Sequence, residues 1–115
     1  MTQSTRPISW FKAALKDFKM FSEGAQSILL AALTIAAEVG KADIAKPMHE
    51  LGAGVLELAL RFRGDAYRVV YAVQLADELW ILHAFQKKSR RGIKTPQQEI
   101  DLVRDRMKRL KEILR

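Results

Sequence analysis

The chain has 115 residues, a formal net charge of +7, 49% hydrophobic and 29% charged residues, and no cysteine. That is enough for one domain, 1–115, with a core of its own, and it is the balance of an ordinary globular protein. It excludes disulfides and thiolate metal sites and fits a reducing cytoplasm; with only His49 and His83 as imidazoles, no metal or other cofactor is expected.

The start, MTQSTRPISW, lacks the apolar run of a signal peptide. RPISW (6–10) reads as a short strand that Pro7 confines to an edge or a strand start. FKAALKDFKMF (11–21) carries apolar residues at 11, 14, 15, 18 and 21, the spacing of a helix face. Ser22 caps a second helix through GAQSILLAALTIAAEV, ending at Gly40, a natural left-handed terminator. Its apolar run, ILLAALTIAA (28–37), is about half of a membrane span. A buried helix and no membrane association are expected. The minimal joint makes the two helices an antiparallel hairpin, and residues 41–54, with Pro47, Gly52 and Gly54, read as a connector.

The hydrophobic period then changes to two. In 55–65, Leu56, Leu58, Leu60 and Phe62 oppose Glu57, Ala59, Arg61 and Arg63, and Gly64-Asp65 reads as a hairpin turn. In 66–75, Tyr67, Val69, Tyr71 and Val73 oppose Arg68, Val70, Ala72 and Gln74. After a turn at Ala76-Asp77, strict alternation in 78–87 sets Trp80, Leu82, Ala84 and Gln86 against Leu79, Ile81, His83, Phe85 and Lys87. Thr95 is placed to cap a last helix, with Pro96 at its first position and Gln98 completing a capping box. Ile100, Val103, Met107, Leu110 and Leu114 form its apolar stripe. Strand, helix hairpin, three-strand meander and terminal helix make an α+β fold: a small antiparallel sheet (β-α-α-β-β-β-α) packed on a helical hairpin and a C-terminal helix. A sheet this short needs one face covered. The other face is expected free for chemistry, with Arg61, Arg68 and His83 on or near it.

Charge is distributed unevenly. Residues 1–85 hold nine Lys/Arg and nine Asp/Glu; residues 86–115 hold eleven and four, so the whole excess of +7 lies in the last quarter. It is densest in QKKSRRGIK, where Lys87, Lys88, Arg90, Arg91 and Lys94 join a strand to a helix. Such a surface attracts polyanions by steering and counterion release. A solvated basic helix, or a surface that holds an acidic protein, are the other readings of the same charge.

The segment FRGDAYRVVYAV, followed by ILHAFQKKS and KTPQQEIDLVRDRMKRL, resembles the phage-derived, HigB-like branch of the RelE/ParE toxin superfamily, over nearly the whole chain. The resemblance implies a RelE/ParE-like fold and the toxin of a type II toxin–antitoxin module, usually a ribosome-associated endoribonuclease that cleaves translated mRNA. It also implies a cognate helix-turn-helix antitoxin as partner, in a toxin–antitoxin hetero-oligomer, with mRNA and the ribosome as targets. RNA cleavage by its own 2′-OH needs a base, a cation for the phosphorane, and an acid for the leaving 5′-oxygen. Arg68 matches the family's strand arginine, and a guanidinium fork suits phosphate; a sheet-surface pair with Glu57 is the alternative. Lys87 and Lys88 match the basic strand end, Lys87 as a catalytic candidate at the scissile phosphate and Lys88, with Arg61, Arg63, Arg90, Arg91 and Lys94, as RNA- or ribosome-binding candidates. His83 has the right unperturbed pKa for a proton carrier, although a lone strand histidine is more often structural, and Phe85 is placed to stack on a base or fill the core. The chain departs from the family in having no Tyr or His beyond His83. That departure leaves open a gyrase-poisoning, ParE-like toxin and a non-catalytic nucleic-acid-binding prophage protein.

Overall fold

A computed structural model describes residues 5–38, 40, 42–87 and 94–114. The elements in chain order are β1 (Ile8–Trp10), α1 (Lys12–Phe18), α2 (Glu23–Ala37), β2 (Ala45–Pro47), a 3₁₀ turn (His49–Leu51), β3 (Val55–Phe62), β4 (Asp65–Leu75), β5 (Glu78–Lys87) and α3 (Gln97–Ile113). They form a five-stranded sheet in the order β1-β5-β4-β3-β2. The expected order of strand, two helices, three-strand meander and helix is present, with two differences. Residues 45–47, expected as connector, add an edge strand antiparallel to β3, and β1 pairs with β5 in parallel, so the sheet is mixed. The strand-to-strand path from β1 to β5 passes through both helices and the meander, which is what allows a parallel neighbour.

Local chemistry accounts for most of the boundaries. Ser22 caps α2 by accepting the Ala25 N–H at 3.3 Å. At its other end the Gly40 N–H closes on the Ile35 carbonyl at 2.9 Å. The β3–β4 turn is Arg63-Gly64, one residue earlier than expected, with φ of 51° and 87°. Ala76 and Asp77 turn β4 into β5 with φ of 52° and 58°. Positive φ at both central residues matches the twist of the flanking strands. α3 begins at Gln97, with Pro96 as its capping residue and no side-chain cap. Thr95 does not cap the helix.

Both faces of the sheet are covered, which corrects the expectation of a free face. On one face α1 and α2 bury Leu58, Leu60, Tyr67, Val69, Tyr71, Leu79 and Ile81. An aromatic run ties the hairpin to the sheet: Trp10, Phe18, Phe21 and Tyr67 succeed one another at centroid distances of 5.0, 5.5 and 4.8 Å. On the other face, Val55, Val70, Ala72 and Leu82 pack with Met48 and Leu51 against Ile100, Val103, Met107 and Leu110 of α3. The stripe on α3 is apolar enough that leaving the sheet face open would expose two unsatisfied surfaces. No helix among the described residues is long and apolar enough to cross a membrane.

The strict alternation expected for β5 fails at one point. Val70 pairs with His83 while Tyr71 pairs with Ile81, so Leu82 is an extra residue in β5. A β-bulge of this kind places two successive side chains on the same side of the sheet. Leu79, Ile81 and Ala84 lie in the hairpin core, whereas Leu82 lies in the α3 core. His83, Phe85 and Lys87 therefore face α3, together with Leu82, and not with Leu79 and Ile81.

Candidate functional site

The register brings three rows of residues together on the α3 side. Glu57, Val70 and His83 lie opposite one another across β3, β4 and β5; Ala59, Arg68 and Phe85 form the next row; Arg61, Ala66 and Lys87 form the third. Rows on one face are about 7 Å apart along the strands, and neighbouring strands about 4.8 Å apart. Arg68 thus sits one row from both Arg61 and Lys87, with the small Ala66 between them. All three cations project on the same face.

Their environments differ. Arg61 is exposed, whereas Arg68 and Lys87 are buried. Arg68 Nη1 donates to Glu57 Oε1 at 2.8 Å, and it lies 3.4 Å from Thr95 Oγ1. The Thr95 hydroxyl donates a short hydrogen bond to the other carboxylate oxygen of Glu57. The hydroxyl expected to cap α3 is used here, because a buried carboxylate needs donors on both oxygens. Arg68 is therefore held by Glu57 as the pairing alternative described, in a site of low exposure. Burial, with the nearby Arg68 charge, pushes the Lys87 ammonium below its ordinary pKa; Glu57 opposes the shift. A more acidic ammonium is a better proton donor near neutral pH.

His83 lies beside this cluster and is enclosed. Its Nε2 is 3.3 Å from Glu99 Oε2, its Nδ1 is 3.2 Å from Arg106 Nη1, and Phe85 stacks on its ring at 4.9 Å. Arg106 has only donors, so Nδ1 accepts and the proton resides on Nε2, directed at Glu99. Burial lowers the pKa of His83 most, the Glu99 charge and hydrogen bond raise it, and the Arg106 charge lowers it. Arg106 also donates to the Leu82 carbonyl at 2.8 Å and lies over the Phe11 ring at 5.0 Å. Both ring nitrogens of His83 are engaged within the protein, and the imidazole joins β5 to α3.

The remaining candidates are separated from this cluster. Arg63 stands in the β3–β4 turn over the Phe62 ring. Lys94 is exposed two residues before Pro96 and close in sequence to Thr95. Lys88, Arg90 and Arg91 lie outside the described residues. His49 is exposed in the 3₁₀ turn. No group of three or more His, Cys, Asp or Glu side chains among the described residues could hold a metal ion. Thr95, Glu99 and Arg106 were not expected as site residues. The signal was present in α3: Glu99 and Arg106 are seven residues apart, flanking Ile100, Val103 and Met107 on the buried stripe.

The family model described as "Phage derived protein Gp49-like (DUF891)" matches residues 16–108, from α1 to the last turns of α3. No curated protein matches the chain.

Proposed function

The chain belongs to the phage-derived Gp49-like family, a toxin-like family of toxin–antitoxin systems, and from that premise we propose that it is the toxin of a type II module that cuts translated mRNA on the ribosome. The observation that carries the reading is the set of three cations, Arg61, Arg68 and Lys87, on adjacent strands of one sheet face. In the proposed reaction the RNA 2′-oxygen attacks the adjacent phosphorus, the P–O5′ bond breaks, and a 2′,3′-cyclic phosphate and a 5′-hydroxyl result. Arg68 stabilises the phosphorane charge. Glu57, already beside Arg68, takes the 2′-OH proton after exchanging its Thr95 partner. Lys87, made more acidic by burial, gives its proton to the 5′-oxygen. Arg61, Arg63, Lys94 and the basic residues 88–91 grip flanking phosphates. The RelE/ParE-like, HigB-like assignment and a helix-turn-helix antitoxin that covers the basic end belong to the same proposal.

A second reading, a gyrase-poisoning toxin, is favoured by one observation: Glu57 and His83 have their proton-carrying atoms bonded inside the protein. The test combines pulse labelling after induction with primer extension on a translated mRNA. Translation should stop first, with new 5′ ends on the message. A Lys87→Arg variant keeps the charge but not a transferable proton, so its cleavage rate should fall about 10²–10⁴-fold while RNA binding persists. DNA synthesis failing before protein synthesis would transfer the conclusion to the gyrase reading. Unchanged cleavage by Lys87→Arg would remove the acid assignment.

A further inference from the structure

A second surface, away from the cation rows, has the chemistry of a protein-binding groove. An open groove of about 620 Å³ runs along α1, lined by Phe11, Lys12, Ala13, Leu15, Lys16 and Lys19. Its floor is carbon. Its rim is three exposed ammonium groups at positions i, i+4 and i+7, which span about 10 Å at 1.5 Å per residue. Among the described residues none of these lysine side chains is in an ion pair, and the one carboxylate of α1, Asp17, acts on Arg106. Just beyond the groove Met20 is 83% exposed. A helix this short would not keep apolar surface beside three like charges for its own stability.

We propose that this groove binds an acidic amphipathic helix of a partner protein, its carboxylates at i, i+4 and i+7 paired with Lys12, Lys16 and Lys19 and its apolar row on Phe11, Leu15 and Met20. Anchors at that spacing are how a helix is read in a groove. The apolar floor argues against RNA: the three ammonium groups suit phosphate, but single-strand binding also needs free aromatic faces for stacking, and the one aromatic ring here, Phe11, already carries the Arg106 guanidinium on one face at 5.0 Å. The charge complementarity sets which protein binds, and the apolar row sets how tightly. The proposal is independent of the RNA-cleaving activity.

Fluorescence anisotropy on the full chain tests it with three probes: a synthetic helical peptide with Glu at i, i+4 and i+7 beside a row of Leu, the same peptide with Lys for Glu, and a single-stranded RNA oligonucleotide. The Glu peptide should bind the parent protein and lose at least tenfold in affinity to the folded Lys12→Glu/Lys16→Glu/Lys19→Glu variant, which should instead bind the Lys peptide. Leu15→Gln should weaken the Glu peptide several-fold and leave RNA affinity unchanged. No binding of the Glu peptide to the parent, failure of the charge swap, or a Leu15→Gln variant that loses RNA and not peptide would each overturn the proposal. mRNA cleavage with no peptide binding would refute this surface alone, whereas peptide binding without cleavage would leave it standing.

Discussion

Replacing Arg68 by Ala has a consequence for folding that can be worked from the pair it makes. Arg68 and Glu57 are 2.8 Å apart with side-chain exposures of 8% and 7%. Removing one partner of a buried pair costs roughly 3–5 kcal/mol, because the other charge is left without compensation. Glu57 keeps the Thr95 hydroxyl, a hydrogen bond that recovers about 1 kcal/mol, so the expected loss is about 2–4 kcal/mol. The Glu57→Leu/Arg68→Met double variant removes both charges and should recover much of it, since an apolar pair of similar volume is often neutral or better. The assay is guanidinium unfolding followed by the fluorescence of Trp10 and Trp80, with the double-mutant cycle closed by the Glu57→Leu and Arg68→Met single variants. A loss below about 1 kcal/mol, the range of a solvent-exposed pair, or additive single effects, would refute a buried, coupled pair. The same experiment bears on activity: cleavage by Arg68→Ala is interpretable only for the folded fraction, and Arg68→Lys is the control that retains a cation.

Three further outcomes are expected. His83 has its pKa lowered chiefly by burial, so the unfolded chain takes the proton first; stability should be full above about pH 6.5 and fall as pH drops below it. Denaturation titrations between about pH 7.5 and 5.5 should show this slope in the parent and a flatter one in His83→Gln, with Glu99, Asp17 and Arg106 the other charges that act on the ring; equal slopes would exclude His83 as the source. Thr95→Val leaves one oxygen of buried Glu57 without its donor and should cost about 1–2 kcal/mol, with faster amide exchange confined to the first turn of α3. Replacing Ala76-Asp77, both at positive φ, by Asn-Gly should raise stability by about 1 kcal/mol, read as a higher melting temperature; no gain would mean that the turn is not strained.

Apart from the edge strand at Ala45–Pro47, which reads as connector, the elements and most core positions followed from the sequence alone. Periodicity is a local property: a buried face repeats every two residues in a strand and every three or four in a helix. Leu58, Leu60, Tyr71 and Leu82 were legible as core on that ground, and all four are buried. The concentration of positive charge after residue 85 was legible as well, because it needs only counting. Three features were not legible, because each depends on contacts between segments distant in the chain. The parallel pairing of β1 with β5 joins residues some seventy positions apart. The use of the Thr95 hydroxyl by Glu57 depends on where α3 lands on the sheet, and a local rule assigns the same hydroxyl to a cap. The bulge at Leu82 is set by the register between β4 and β5. A one-residue offset in register reverses the side on which every later side chain emerges, and with unbroken alternation His83, Phe85 and Lys87 would face the hairpin core beside Leu79 and Ile81. The residue types of the candidate site were present in the sequence; tertiary packing placed Lys87 on the same face as Arg68.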